Sequence, residues 1–218
     1  MRLIFVRHAQ SVGNAGGLLQ GRAEYELSET GRQQAELLHA RFLGEGFEPS
    51  HVYSSPQSRA AQTADVVSRS WGRPISYWDE LMEHDMGVFS GHTWAEISQK
   101  FPDMASEFQF NRDWQVVEGA ETSHERRARG QRVVDTILSR HANDDVVLMF
   151  THGGIMGHIL AALMGTNRTW GLGAQNTALF DLSVDAERWW RNDDATYNNT
   201  ELWRVNRFND SSHLAQLG

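Results

Sequence analysis

The sequence predicts an α/β fold: a three-layer sandwich with a mostly parallel central sheet, helices on both faces, and a helical insertion acting as a cap above the carboxyl edge. Three observations carry this reading. Two short apolar runs, residues 3–6 and 146–150, read as strands covered on both faces, as in a parallel sheet. Each ends abruptly in a polar, histidine-bearing turn, Arg7-His8 and Thr151-His152. Strand-like runs also alternate with helix-length segments whose apolar residues recur at helical spacing.

The first run ends in MRLIFVRHAQSVGN, which puts Arg7 and His8 at a strand's carboxyl end, the edge where open α/β sheets bind ligands. A loop over residues 9–27 follows. Ser28 reads as a helix N-cap, with Glu29 in the first turn, an apolar stripe at Ala35, Leu38, Phe42 and Leu43, and Gly44 or Gly46 as the stop. Residues 51–54 make a second strand, and Ser55-Pro56 begins a helix carrying Arg59, Ala60, Ala64 and Val67 to about Trp71. Residues 74–77 make a third strand. Residues 79–143 change character, richer in Trp, Met and Glu, and are expected as a cap insertion within a single domain spanning 1–218. Short helices are expected near 94–100 and 102–110, then a longer one from about Ser123. The run at 146–150 and an apolar helix to Met164 echo the opening unit. An alternating stretch at 177–184 and another at 202–208 supply the last strands.

Composition narrows the function class. The chain has 218 residues, 40% of them hydrophobic, enough for a large core, and a formal net charge of -8, which argues against nucleic acid and anionic membrane as partners. Nineteen of the twenty cations are Arg, Lys100 being the only lysine. There is no cysteine, so disulfides, thiolate metal sites and cysteine nucleophiles drop out. No signal peptide or spanning segment is read, and a cytoplasmic location is expected.

Arg7, His8, Arg59, Glu83 and His152 all fall at expected strand ends, helix starts or nearby loops. Two His, two Arg and one carboxylate suit phosphoryl transfer, which needs a nucleophile, positive charge against the phosphoryl oxygens and a proton for the leaving group. Metal-dependent hydrolysis is the competing use of histidines, but His152 and His158 are six apart and no HExxH occurs. GxSxG, GxxxxGK and GxGxxG are absent too. Singly, each residue has a plainer reading: Arg59 paired with Asp65 or Glu83, Glu83 solvated in a loop, His152 satisfied beneath a helix. His39, His51, His141 and His213 are expected at the surface. Trp94 and Trp114, with Met82, Met86 and Phe89, are either core or the wall of a substrate cavity.

The run from Leu3 to Asn14 resembles the signature of the histidine phosphatase superfamily, the phosphoglycerate mutase-like proteins, with Ala9 where Gly is most usual. Further blocks follow in that family's order: Gln20-Gly21, then Leu27-Ser-Glu-Thr-Gly31, Tyr53-Ser-Ser-Pro-Gln-Ser-Arg59-Ala-Ala-Gln-Thr63, Leu81-Met-Glu83 with Gly87 and Gly91, Thr151-His152-Gly153-Gly154, and Asn176-Thr177. The resemblance implies a metal-independent, cofactor-free phosphatase acting on a small phosphomonoester. It makes His8 the nucleophile that becomes phosphohistidine, and Arg7, Arg59 and His152 the phosphoryl-binding groups. Glu83 becomes the general acid, and Asn14, Gln20, Gly21, His84 and Gly153 become substrate contacts. A phosphoglycerate mutase-type phosphomutase and a non-hydrolytic phospho-ligand-binding relative are the alternatives. Mutases of the family carry Arg directly after the glutamate and Lys three residues beyond the second glycine, where this chain has His84 and Trp94. The mutases' Arg pair also finds no counterpart here, Arg112 standing alone.

Overall fold

A computed structural model describes residues 1–191 and 193–217. In chain order the elements are β1 (Arg2–Arg7), α1 (Val12–Ala15), β2 (Leu18–Leu19), α2 (Glu29–Gly44), β3 (His51–Ser54), α3 (Ser58–Ser68), β4 (Ile75–Tyr77) and β5 (His92–Thr93). There follow α4 (Trp94–Lys100), α5 (Pro102–Asn111), α6 (Ser123–Arg140), β6 (Val146–Thr151), α7 (Gly153–Leu163), β7 (Leu179–Val184), α8 (Asp194–Tyr197) and β8 (Trp203–Asp210). The central sheet has six strands in the order β4-β3-β6-β1-β7-β8. The pairs β4-β3, β3-β6 and β6-β1 are parallel, whereas β7 is antiparallel to both β1 and β8.

The continuous apolar runs follow from burial on both faces. Successive side chains of a strand point to opposite sides, so Leu3, Phe5, Val147 and Met149 pack with Val133, Ile137, Ile155 and Ile159 of α6 and α7. Ile4, Val6, Leu148 and Phe150 pack instead with Ala35, Leu38 and Phe42 of α2 and Ala64 and Val67 of α3. Helix, sheet and helix thus form the three expected layers. The expected cap over 79–143 is smaller than that range: α6 packs Val133 and Ile137 on the sheet as part of one layer, and what stands apart is an apolar cluster of Phe89, Ile97, Ala105 and Val117, with Trp94, Phe108 and Trp114 packed against it.

Several local expectations change. Residues 9–27 are not all loop. Ser11 and Asn14 cap the four-residue α1 reciprocally, and β2 pairs with β5, elements too short to show a period. Helix α3 starts at Ser58 rather than at Ser55-Pro56 and ends at Ser68, short of Trp71. Strand β7 is buried on both faces apart from Ser183, despite its alternation, and its inward Asp181 is only 1% exposed because Arg2 reaches it at 2.6 Å. Of the histidines expected at the surface, His39 is buried with Nδ1 3.0 Å from the Val67 carbonyl oxygen, and His141 and His213 are half-buried. His51 alone of the four is exposed. Among the described residues no helix is long and apolar enough to cross a membrane.

Candidate active site

Strand register assembles the centre. Arg7 stands opposite Thr151 in the β1-β6 pair, and Ser54 opposite Phe150 in the β3-β6 pair. His8, His152 and Ser55 therefore leave the sheet side by side at its carboxyl edge. The imidazole centroids of His8 and His152 are 5.0 Å apart. His8 Nδ1 lies 2.7 Å from the Ala9 carbonyl oxygen, which fixes the ring and leaves Nε2 free. His152 Nε2 lies 2.9 Å from Ser55 Oγ, while its Nδ1 is buried without a partner.

Arg59, in the first turn of α3, is 1% exposed. It donates from Nη1 to the Ala23 carbonyl and from Nη2 to the Gly21 carbonyl, both at 2.9 Å. Arg7 donates from Nη1 to the Ala174 carbonyl. The Nε atoms of both arginines are buried without a hydrogen-bond partner, leaving donors that suit an anionic group.

Glu83 sits at the amino end of α7, where free amides favour an anion. Its Oε2 accepts from the Gly154 amide and its Oε1 from the Ile155 and His84 amides, each at 3.0 Å. His84 Nδ1 is also 3.0 Å from Oε1. A Cβ on Gly154 would fall 2.5 Å from both Glu83 Oε1 and His84 Nδ1, so glycine is required for this approach. The segment bearing Glu83 is held from below by Arg129, whose Nη1 donates to the Glu80 and Met82 carbonyls at 2.9 and 2.6 Å while Nη2 pairs with Glu121 at 2.6 Å.

The electrostatics fit together. Burial, reinforced by the positive field of Arg59, holds both His8 and His152 well below the ordinary imidazole value, which keeps both neutral. For Glu83 burial alone would raise the carboxyl. The hydrogen bond and field of His84 and the Gly154 amide outweigh it and hold Glu83 well below its usual value.

The expected substrate contacts divide. His84 is buried beside Glu83 with its ring 5.0 Å from Trp114, and the Arg126 guanidinium lies 6.0 Å from that indole. Gly153 leaves space beside Arg7, its built Cβ lying 3.8 Å from Arg7 Nε. Asn14 is half-buried, with Oδ1 accepting from the Ser11 amide at 3.2 Å and from Asn176 Nδ2 at 3.4 Å. Gln20 is tied to Ser11 Oγ at 2.7 Å, and Gly21 offers its carbonyl to Arg59 rather than a donor to a ligand. These two build the scaffold. Trp94 and Phe89 belong to the apolar cluster of residues 79–143, whereas Trp114 reaches His84. Arg112 is exposed at the carboxyl end of α5.

Sequence reasoning assigned no role to Gln57, Asn176 or Arg129. Gln57 is fully buried, donates to the Gly21 carbonyl at 3.0 Å and accepts from the Glu83 amide at 2.7 Å, bridging the Arg59 and Glu83 sides. Asn176 donates to the His8 carbonyl at 2.9 Å. The family blocks containing Gln57 and Asn176 were a signal; for Arg129 there was none.

A family model for the histidine phosphatase superfamily (branch 1) matches residues 3–193. The chain belongs to that superfamily. Its relatives include a metal-independent phosphoserine phosphatase of Arabidopsis thaliana, 27% identical over 99% of this chain and 84% of the relative. A glucosyl-3-phosphoglycerate phosphatase of Mycolicibacterium vanbaalenii is 29% identical over 75% of this chain and 74% of the relative. The alpha-ribazole phosphatase of Shigella flexneri shares the fold with a TM-score of 0.80 at 20% identity, covering 97% of each chain. The histidine phosphatase family and its phosphatase-named members agree with the expected enzyme class, a phosphatase of the histidine type.

Proposed function

We propose that this histidine phosphatase is a metal-independent phosphomonoesterase that hydrolyses a small phosphorylated metabolite through a phosphohistidine on His8. The observation that carries the reading is the buried, neutral His8 with a free Nε2, set beside His152 and two guanidinium groups with spare donors. A neutral imidazole is the nucleophilic form, and cations against the phosphoryl oxygens stabilise the transition state. His8 Nε2 attacks phosphorus as the ester P–O bond breaks, and the departing alkoxide takes the proton of Glu83. Water then attacks phosphohistidine, Glu83 accepting its proton, which releases phosphate and restores the imidazole.

With its carboxyl held that low Glu83 is ionised, so the first step needs it to gain a proton. A phosphomonoester dianion seated between Arg7 and Arg59 offsets their field and pushes the neighbouring carboxyl up. The named relatives, a phosphoserine phosphatase and a glucosyl-3-phosphoglycerate phosphatase, support a small phosphomonoester as the substrate class. We treat the chain as one domain in which the segment around the Phe89–Val117 cluster caps the site while α6 packs on the sheet, and we place it in a cytoplasmic setting.

The test is a rapid quench with phosphorus-labelled substrate. It should trap label on the protein that is stable in base and labile in acid, while His8→Ala should trap none and lose several orders of magnitude in kcat. Near-native turnover by His8→Ala would remove the mechanism. A coupled mutase assay beside phosphate release decides against the phosphomutase, unless mutase turnover exceeds hydrolysis by about tenfold or more.

A further inference from the structure

At the opposite edge of the sheet, His51 opens β3, Asp145 immediately precedes β6, and His141 follows the last residue of α6. One donor atom from each lies within 4.8 Å of the other two. His51 Nε2 is 3.2 Å from Asp145 Oδ1, and His141 Nδ1 is 3.4 Å from Asp145 Oδ2. The two imidazole centroids are 4.3 Å apart.

From these positions we infer that His51, His141 and Asp145 form a binding site for a first-row transition dication of the Zn²⁺ class, separate from the reaction centre. Metal–ligand distances of about 2.0–2.2 Å in a tetrahedral shell put donor atoms about 3.3–3.6 Å apart. His141 already stands at that separation from Oδ2, whereas His51 faces the other carboxylate oxygen, so the exposed His51 ring must swing to share an ion held by His141 and Oδ2. Two imidazoles and a carboxylate select zinc-like ions over Mg²⁺ or Ca²⁺, which prefer oxygen donors.

A second observation points to a ligand. The His141 side chain is only 4% exposed, and its Nδ1 is buried with no hydrogen-bond partner although it faces the carboxylate. Its other nitrogen, Nε2, is 3.0 Å from Tyr53 Oη. With a metal on Nδ1, Nε2–H donates to the tyrosine oxygen, the outer partner that fixes the tautomer of a ligating histidine. The carboxylate is oriented likewise: Ser50 Oγ donates to Oδ1 at 3.1 Å and the Ala142 amide to Oδ2 at 2.9 Å. Three protein ligands and a half-exposed His51 leave a fourth position for water. Because the ligands join β3 to the connection between α6 and β6, the bound ion acts as a clip on the fold and takes no part in phosphoryl transfer.

The experiment uses untagged full-length protein, stripped with chelator and titrated with Zn²⁺ alone by calorimetry, with thermal melts in parallel. One ion per chain should bind with a dissociation constant of about 10 μM or tighter and raise Tm. His51→Ala and His141→Ala should each weaken binding by about tenfold or more, and Tyr53→Phe by about tenfold, the usual effect of losing an outer partner. His51→Ala, altered at an exposed position, keeps the test valid should His141→Ala fold poorly. His8→Ala should bind Zn²⁺ as the parent does. Absence of Zn²⁺ binding below millimolar concentration, binding unchanged in His51→Ala, or binding lost in His8→Ala would each overturn the assignment.

Discussion

The Gly154 amide donates to the Glu83 carboxylate at 3.0 Å, with no room between the two residues for a methyl group. Gly154→Ala should therefore displace the carboxyl or the His84 ring. A shift of about 1 Å costs on the order of 10²-fold in rate, so kcat on an alkyl phosphate should fall by about 10–100-fold with Tm little changed. Steady-state kinetics beside a thermal melt checks this, and an unchanged kcat would mean that the contact does not govern chemistry.

Glu83→Gln tests proton donation through the leaving group. A general acid contributes about 10²–10⁴-fold when the departing oxygen is strongly basic and little when it is not. An alkyl phosphate should suffer that loss and nitrophenyl phosphate much less. Equal losses would assign Glu83 to binding or structure.

The pH profile should report the change in Glu83 on loading. In the free enzyme its carboxyl is held well below the usual value by His84 and the Gly154 amide against the opposing effect of burial. The substrate dianion raises it. Because kcat/KM reads the free enzyme and kcat the complex, the limb for loss of the Glu83 proton should lie at higher pH in kcat than in kcat/KM. Glu83→Gln should abolish the difference; its persistence there would point to another group.

Acid should unfold the protein before its carboxylates protonate. Burial, then the fields of Arg126 and Arg41 respectively, hold His158 and His213 down at about 4. Between about pH 6.5 and about 4 the unfolded chain therefore binds protons that the native state does not, so stability falls as pH falls through that window. Each such histidine contributes a slope of at most about 1.4 kcal/mol per pH unit, reduced where solvent screens the half-buried His213 ring. Urea midpoints at pH 7 and pH 5 should differ accordingly, and His213→Asn should flatten the slope. A midpoint independent of pH over this range would contradict the burial of both rings.

Arg129 should separate stability from activity. Arg129→Met leaves Glu121 as a nearly buried, unpaired charge and should cost about 3–5 kcal/mol, the usual penalty for breaking a buried pair. Adding Glu121→Gln removes that charge and should restore much of the stability. It cannot restore the bonds to the Glu80 and Met82 carbonyls, so kcat should stay low. Recovery of both together would reduce Arg129 to a stabilising residue.

What the sequence made legible is what local pattern determines. The runs ending at Arg7 and Thr151 announce doubly covered strands, and their following histidines mark the functional edge. Elements without a period, such as α1, β2 and α8, carried no such mark. Burial was misjudged where a polar group finds a distant partner, as at Asp181 with Arg2 and His39 with the Val67 carbonyl. The contacts of Gln57 and the Arg129–Glu121 pair are invisible for the same reason: they depend on which loops the fold brings together, not on spacing along the chain.

The pairing of Arg7 with Thr151 also sets when activity can first exist. His8 and His152, the two histidines of the proposed centre, lie in distant parts of the chain and meet only once β1 has accepted β6. A slip of one residue between those strands would turn one imidazole to the opposite side of the sheet. During synthesis the amino-terminal half, however well structured, holds half a centre until the sixth strand has emerged and docked in frame. In refolding, regained turnover is accordingly a late signal, trailing helix content and collapse, and serves as a native reporter of correct strand order.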